Sequence, residues 1–305
     1  MATRWTAADI PDQTGRTFVV TGANSGLGLE TTRRLAARGA HVVMTARDQV
    51  RGEAAVTALK AALPNASLEL RLLDLADLDS VRAFAAGLTG DKVPVDVLIN
   101  NAGIMMTPQR QTAQGYELQF GTNHLGHFAL TGLLLDTISQ GHDPRIVTVS
   151  STMHKQGSID FADVQRAKNY SPVGAYAQSK FANILFGLEL QRRLTDAGSP
   201  VRSLMAHPGY SNTNLQTTGP AGAMRMAMRI ANPLFAQSAK VGALAELRAA
   251  TAPDVRGGDY YGSAKFFESR GLPELVRPIP SAQDPETAAR LWDLSETLTG
   301  VTYTF

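Results

Sequence analysis

The sequence predicts an α/β fold in which a doubly wound parallel sheet carries helices on both of its faces. Three observations in the 305-residue chain point to this class. Short runs rich in β-branched residues alternate with longer stretches of helical composition. The runs are apolar without strict alternation, as expected of strands that are covered on both sides. A glycine-rich turn directly follows the first run, where such folds bind ligands.

Six runs predict the strands in chain order, and two of the intervening stretches show helical composition clearly. The strand-like runs are 17–21, 41–46, 67–73, 95–100, 145–150 and 201–206, and the helical stretches include 27–38 and 52–63. With no repeat or linker, we expect residues 1–305 to form a single domain with an N-terminal arm over 1–15. Two long connections, 152–174 and 210–237, fall outside the alternation and follow predicted strands at the ligand-binding edge.

Composition excludes several classes of protein. There are no cysteines, which excludes disulfides, thiolate metal sites and a cysteine nucleophile. Lys and Arg total 29 against 27 Asp and Glu, so no basic excess indicates a nucleic-acid partner. No apolar run approaches the ~20 residues that cross a bilayer, and residues 1–15 lack a signal-peptide core. We therefore expect a cytoplasmic protein with no transmembrane segment.

The glycine-rich turn reads TGANSGLG over residues 21–28, between the first predicted strand and the first predicted helix. Gly22 permits the tight turn, Gly26 the close approach of a pyrophosphate, and Gly28 close packing of helix on strand. The free N–H groups at the start of the helix favour phosphates. The turn predicts the dinucleotide site of a Rossmann fold, which these glycines form together with Asn24, Ser25 and Leu27.

The second predicted strand ends at Ala46 and is followed by Arg47 and Asp48. At this point an acid binds the ribose 2′-hydroxyl of NAD, whereas an arginine suits the 2′-phosphate of NADP. We predict NADP(H) as the cofactor, with NAD(H) as the second choice. The alternative is a solvated Arg47 beside an Asp48 that only caps the next helix.

Two tyrosines precede a lysine by four residues, Tyr176 with Lys180 and Tyr261 with Lys265. Tyr176 stands in an amphipathic stretch, so a helix would place its pair on one face. Tyr261 lies among glycines, where no helix is predicted. We therefore interpret only the first pair as functional.

Proton transfer is the chemistry that the first pair suggests. A phenol has a pKa of ~10, too high for a base at neutral pH, and a nearby ammonium lowers it. Ser150 and Ser151 end the fifth predicted strand at the ligand edge, where a hydroxyl could orient a substrate oxygen. The alternative is that these serines end the strand and that Tyr176 only packs.

Over essentially its whole length the sequence resembles the short-chain dehydrogenases/reductases. The motifs that carry the resemblance are TGANSGLG at 21–28, Asp74–Leu75, NNAG at 100–103, Asn123 in TNHLGHF, VSS at 149–151, YAQSK at 176–180 and PGYSNT at 208–213. Within the family, NNAGIMM, NHLGHF and the long gap between Ser151 and Tyr176 resemble the retinol-dehydrogenase-like branch and its protochlorophyllide-reductase relatives.

The resemblance implies roles for particular residues. Tyr176 would exchange a proton with the substrate oxygen, Lys180 would lower its pKa and hold the nicotinamide ribose, and Ser151 would stabilise the substrate oxygen. Asn123 would position the lysine and relay protons. The other implied cofactor contacts are Asp74 and Leu75 at the adenine, Asn101, Ala102 and Gly103 along the cofactor floor, and Pro208, Gly209 and Thr213 at the nicotinamide carboxamide.

The resemblance also concerns partners. The family often pairs through the helices that hold Asn123 and Tyr176, which implies a homodimer or homotetramer.

His124 and His127 have no carboxylate at matching spacing, so we expect buried, hydrogen-bonded histidines and no metal. His154 and His207 flank the expected site, and a substrate contact by either stays open.

These observations predict an NADP(H)-dependent oxidoreductase that interconverts an alcohol and a carbonyl on a small or medium apolar substrate. The alternatives are a reductase of a carbon–carbon double bond and a catalytically silent nucleotide-binding sensor or scaffold. Residues 1–15 lack the apolar anchor of membrane-bound retinol dehydrogenases, which argues against a retinoid. Residues 210–237 are predicted to form a substrate lid, and a membrane-surface helix over 221–237 is the alternative.

Overall fold

A computed structural model describes residues 4–209, 237–265 and 268–305. Its strands are β1 (Thr17–Val20), β2 (His41–Ala46), β3 (Ser67–Leu72), β4 (Val97–Asn100), β5 (Arg145–Val149), β6 (Arg202–Ala206), β7 (Tyr260–Lys265) and β8 (Arg270–Leu275). They form one sheet in the order β3-β2-β1-β4-β5-β6-β7-β8. Neighbours pair in parallel from β3 through β7, and β8 runs antiparallel to β7. The predicted doubly wound α/β sheet is confirmed.

Helices fill the connections between these strands. They are α1 (Gly26–Ala36), α2 (Gln49–Ala62), α3 (Leu78–Gly90), α4 (Leu118–Phe120), α5 (Gly126–Ser139), α6 (Pro172–Asp196), α7 (Ala239–Gly242), α8 (Leu244–Thr251) and α9 (Pro285–Thr299). A π-helical turn, Gly121–Leu125, joins α4 to α5. Short 3₁₀ helices cover Ala7–Asp9, Thr152–Gln156 and Pro280–Gln283.

Helix starts depart from the predicted bounds because local capping sets them. The α2 helix begins three residues before the predicted stretch, since the Asp48 carboxylate accepts the Arg51 N–H at 2.9 Å. The α6 helix begins at Pro172 because Ser171 accepts the Gly174 N–H and a proline suits the first helical turn. These starts fix where Arg47 and Tyr176 lie.

Two strands escaped prediction, and the sheet order explains why. Gly262 in β7 and Gly271 in β8 weaken a strand pattern, and Pro273 lies within β8. The β8 strand is at the edge of the sheet, where a proline is tolerated. Both strands lie beyond 210–237, so the predicted six-strand sheet was too small.

The central strands are buried on both faces, which explains their continuous apolar runs. Phe18 and Val20 pack into the layer that contains α1, α2 and α8. Val19, between them, packs into the opposite layer with α3, α5 and α6. Because successive side chains of a strand point to opposite faces, each run must be apolar throughout.

Four aromatic side chains join α9 to the α5 and α6 helices, and we call them the aromatic seal: Phe128, Phe186, Trp292 and Tyr303. The Trp292 and Phe128 ring centroids lie 5.1 Å apart, and the Tyr303 hydroxyl donates to the Phe128 carbonyl at 2.6 Å. The Arg193 guanidinium stacks 4.5 Å from the Trp292 ring centre.

Across the described ranges, no helix is long and apolar enough to cross a membrane.

Candidate active site

The glycine-rich turn forms one wall of a cleft at the carboxyl ends of β1, β2 and β4. Gly22 has φ +66°, a conformation that glycine adopts without strain, and a Cβ there would meet the Ala102 Cβ at 3.0 Å. A Cβ on Gly28 would lie 2.5 Å from the Gly22 carbonyl oxygen. Glycine at both positions keeps the start of α1 close to the strand, as the predicted dinucleotide turn requires.

The cleft has a volume of about 690 Å³, which is in the range of ligand pockets. Its lining includes eight of the predicted cofactor residues: Gly22, Asn24, Ser25, Arg47, Asp74, Leu75, Ala102 and Gly103. The Ser25 side chain makes no capping hydrogen bond to α1, so the N–H groups at the start of that helix face the cleft without a cap from this serine. The donor set and the glycine turn therefore fit a dinucleotide.

Thr21 ties this turn to the cofactor floor. Its hydroxyl oxygen accepts from the backbone N–H groups of Asn101 and Ala102, each at 2.9 Å, and its carbonyl accepts from the Asn101 side chain at 2.6 Å. The Thr21 hydroxyl also lies 2.9 Å from His127 Nε2. Since His127 Nδ1 faces the Asn123 carbonyl at 3.0 Å, Nε2 is the acceptor and Thr21 the donor. The Asn101 side chain thus holds the turn.

The ribose end of the cleft carries two exposed cations, Arg47 and Arg51. Within the described ranges, neither guanidinium lies in an ion pair with an acid. Asp48, between them in sequence, uses its carboxylate to cap α2. One oxygen of the Asp48 carboxylate is therefore engaged by the helix, and the two guanidinium groups are open to a ligand.

Ser151, Tyr176 and Lys180 meet beyond the other end of the cofactor floor. The Ser151 hydroxyl lies close enough to the Tyr176 phenol to lower the pKa of that phenol by hydrogen bonding. Lys180 Nζ donates to the Val149 carbonyl at 3.0 Å and lies 5.8 Å from the centre of the Tyr176 ring. Ser150, by contrast, donates its hydroxyl to the Lys180 carbonyl at 2.8 Å and is buried. Of the two serines, Ser151 is therefore the one that contacts the phenol.

Burial controls the protonation of this group. It raises the pKa of Tyr176 to about 12, against a lowering by the Ser151 hydrogen bond. It also lowers the pKa of Lys180 to about 8. The net shift of the Tyr176 pKa is therefore upward, opposite to the lowering expected from a nearby ammonium, because loss of hydration is its largest cause. The phenol carries its proton at neutral pH.

Asn123 lies in the π-helical turn, and such turns are frequent at functional sites. Its side chain accepts from the Ile104 N–H at 2.8 Å and donates to the Ile104 carbonyl and the Ser179 hydroxyl, each at 2.9 Å. A Cβ on Gly103 would fall 3.2 Å from Asn123 Oδ1 and 3.6 Å from Lys180 Nζ. Asn123 therefore holds the floor segment against α6, with Gly103 leaving space beside the lysine.

Comparison with known proteins gives the family. A sequence profile described as short chain dehydrogenase matches residues 16–222, more than half of the chain. The chain belongs to the short-chain dehydrogenases. The predicted family is thus confirmed, and the protein is an oxidoreductase of that family.

Individual relatives support the predicted branch within the short-chain dehydrogenases. Retinol dehydrogenase 12 of Homo sapiens is 39% identical over 289 residues, which cover 94% of this chain and 87% of that one. Polyprenol dehydrogenase of Mus musculus is 39% identical over 295 residues, covering 95% and 86%. A solved structure of an uncharacterized protein from Mycobacterium paratuberculosis is 47% identical with a TM-score of 0.83, covering 99% and 100%. The retinol-dehydrogenase-like branch is confirmed.

Other residues of this short-chain dehydrogenase that the sequence singled out lie on several different segments. The Leu27 side chain is buried in the core layer beneath α1, so only its backbone is left to face a cofactor. Pro208 and Gly209 follow β6, and Gly209 has φ +64°. Thr213 and residues 210–236 of the predicted lid lie outside the described residues. Tyr261 and Lys265 lie on β7, which confirms that they do not share a helix face.

Four of the six histidines of this short-chain dehydrogenase are buried. His124 lies 2.8 Å from the Ser295 hydroxyl, and burial lowers its pKa to about 3 and that of His127 to about 4. Both are hydrogen-bonded in the interior, as predicted. His154 and His207 have no exposed surface in the described structure, and they contact neighbouring protein groups.

Sequence reasoning missed several residues of the site. Arg51 could have been found as a second cation just after the second strand. Thr21 belongs to the recognised motif, but its hydrogen bonds join segments about 80 residues apart and leave no local pattern. Ser179 is visible in YAQSK, although only the fold shows that it faces Asn123.

Proposed function

We propose that this short-chain dehydrogenase interconverts an alcohol and a carbonyl compound with NADP(H), acting on an apolar substrate of small or medium size. The observation that carries the proposal is the contact of Ser151 with a buried, protonated Tyr176 beside Lys180, beyond the end of the cofactor cleft. The printed names of the relatives, a retinol dehydrogenase and a polyprenol dehydrogenase, support an apolar alcohol as the substrate class.

The residues divide the work of carbonyl reduction. A nicotinamide held in the cleft would supply the hydride for the carbonyl carbon. Tyr176 Oη donates its proton to the carbonyl oxygen, and the Ser151 hydroxyl holds that oxygen by a hydrogen bond. Lys180 Nζ stabilises the phenolate that this transfer leaves, since an opposite charge nearby favours the ionised form. With the pKa of Tyr176 at about 12, the resting phenol carries the proton that carbonyl reduction consumes.

NADP(H) is supported by the charges at the ribose end of the cleft. Arg47 and Arg51 are open cations there, while the Asp48 carboxylate caps α2. A 2′-phosphate would gain charge-assisted hydrogen bonds from the two arginines, whereas a free 2′-hydroxyl has no charge to pair with them. NAD(H) remains the second choice of cofactor. A cytoplasmic location and a homodimer or homotetramer stay predictions.

The acid/base assignment is tested by Tyr176→Phe, with product identification by mass spectrometry. We expect kcat for aldehyde or ketone reduction to fall by about 10²- to 10⁴-fold, because general acid catalysis is lost. The Kd for NADPH, measured by nicotinamide fluorescence, should stay near that of the wild type. Turnover close to wild type would refute the role of Tyr176, and a product saturated at a carbon–carbon bond would replace the proposed reaction.

The cofactor assignment is tested by Arg47→Ala, with Arg277→Ala as the matched control on an exposed arginine outside the cleft. Loss of a charge-assisted contact should raise the Kd for NADPH about tenfold to a hundredfold. The Kd for NADH should not change. Equal effects of Arg47→Ala on both cofactors would count against a 2′-phosphate contact.

A further inference from the structure

A charged cluster lies behind the catalytic serine, on the β7–β8 side of the site. Glu268, in the turn between β7 and β8, accepts from Lys155 Nζ at 2.8 Å through one carboxylate oxygen. Its other oxygen lies 3.3 Å from His207 Nε2. Lys155 belongs to the 3₁₀ turn that follows Ser151, and His207 directly follows β6. One carboxylate thus contacts two segments that both reach the active site.

The histidine side of the cluster is fixed by its hydrogen bonds. The Gly209 N–H points to His207 Nδ1 at 3.2 Å, so Nδ1 is an acceptor and Nε2 carries the proton. His207 Nε2 lies 3.3 Å from Glu268 Oε2, a polar contact without hydrogen-bond geometry. His207 is fully buried, and its neighbours Pro208 and Gly209 form the turn that is expected to hold the nicotinamide carboxamide. Through its contact with His207, the Glu268 carboxylate therefore helps to hold the Pro208–Gly209 turn in place.

The serine side is equally direct. His154 Nδ1 lies 2.6 Å from the Ser151 carbonyl oxygen, and the Ser151 hydroxyl oxygen accepts from the Met153 N–H at 3.2 Å. These bonds make residues 151–156 a compact turn, and Lys155 is its charged side chain. The ion pair between Lys155 and Glu268 therefore links this serine turn, residues 151–156, to the turn between β7 and β8.

We propose that Glu268 is a positioning residue, which fixes the serine turn relative to the Pro208–Gly209 turn and so sets where Ser151 lies against the reacting end of the cofactor. This inference rests on the proposed function. Glu268 has φ +62°, which costs free energy for a residue with a side chain, and its two contacts hold it there. The nearby His207, and more weakly Lys155, lower the pKa of Glu268 to about 2 against the effect of burial, so the carboxylate is ionised at neutral pH.

The ion pair between Lys155 and Glu268 matters more for position than for folding stability. The Lys155 and Glu268 side chains are 36% and 22% exposed, and ion pairs that water reaches contribute little to folding stability. Misplacing a reacting group by about 1 Å can nevertheless cost about a hundredfold in rate. Loss of the ion pair should therefore lower turnover far more than it lowers stability.

The test is a double-mutant cycle on kcat with Glu268→Gln, Lys155→Met and the double variant. We expect each single change to lower kcat for carbonyl reduction about tenfold to a hundredfold, with little change in KM. The double variant should be no worse than the worse single variant, because one ion pair is lost in each. Lys155→Arg should restore kcat. The Kd for NADPH and the urea midpoint should stay close to wild type throughout.

Glu274→Gln on the exposed part of β8 is the matched control and should keep wild-type kcat. The inference is overturned if Glu268→Gln behaves like this control, if the losses of the single variants multiply, or if kcat falls only in step with the urea midpoint. Tyr176→Phe is measured alongside. If it abolishes turnover while Glu268→Gln does not affect it, the proposed function stands and only the positioning role fails. A wild type with no turnover on any carbonyl or alcohol overturns both.

Discussion

Glu246 provides a direct test of how burial sets protonation in this fold. It lies on α8, is 2% exposed, and accepts a hydrogen bond from the Thr31 hydroxyl on α1. Its second oxygen is buried without a partner among the described residues. Burial raises the pKa of Glu246 from 4.5 to about 7, against a lowering by Thr31. The side chain is therefore neutral in the folded protein at mildly acidic pH.

The consequence for stability has a definite sign and size. The folded protein binds this proton more tightly than the unfolded chain, so the resulting stabilisation is complete below pH 4.5. It is lost as the pH rises from 4.5 to about 7. The pKa difference corresponds to about 3 kcal/mol of unfolding free energy. A glutamine at this position keeps the shape of the neutral acid and has no proton to lose.

The assay is urea unfolding of wild type and Glu246→Gln at a series of pH values from 4.5 to 8.5. We expect the difference in unfolding free energy to shift by about 3 kcal/mol in favour of the variant across this range. Exposed Glu274→Gln serves as the control and should show no such shift. A difference between wild type and Glu246→Gln that is constant with pH would refute the reasoning, whatever its absolute value.

Three further changes test packing and hydrogen bonding. Gly28→Ala would place a methyl group 2.5 Å from the Gly22 carbonyl oxygen, so the Kd for NADPH should rise at least about tenfold; an unchanged Kd would contradict the close packing. Thr21→Val should lower the unfolding free energy by about 1–3 kcal/mol, since two floor N–H groups lose their acceptor, and Thr21→Ser should restore it. Trp292→Ala should cost about 3–5 kcal/mol in urea unfolding, and a loss below about 1 kcal/mol would contradict its contact with Phe128.

The sequence was sufficient where a physical rule acts locally. Apolar runs predicted six strands because burial on both faces demands them, and the parallel arrangement explains why residues after β5 and early in α6 converge. Ser151 and Tyr176 are 25 positions apart in sequence, but the carboxyl ends of the strands meet at one edge. Motif order along the chain was enough to identify the family.

Prediction failed where the outcome depends on tertiary environment. The pKa of Tyr176 depends on how much water α6 excludes, and the spacing to Lys180 carries no information on that. Likewise, Glu268 follows β7, a strand that the sequence did not predict because Gly262 interrupts its pattern. The contact between Glu268 and Lys155 could therefore not be predicted either. Capping also moved the start of α2, because Asp48 and not the apolar pattern sets that boundary.

The aromatic seal has a consequence for how the enzyme is made. Trp292 and Tyr303 come after all eight strands in the chain, yet they cover Phe128 and Phe186 on the helices that lead to Asn123 and Tyr176. During synthesis the earlier segments emerge first. The Phe128 and Phe186 side chains of these helices therefore stay uncovered until α9 has left the ribosome. That interval is when a nascent chain is exposed to aggregation and when a chaperone would bind it. Fusions or truncations at this end would therefore affect yield before they affect the chemistry.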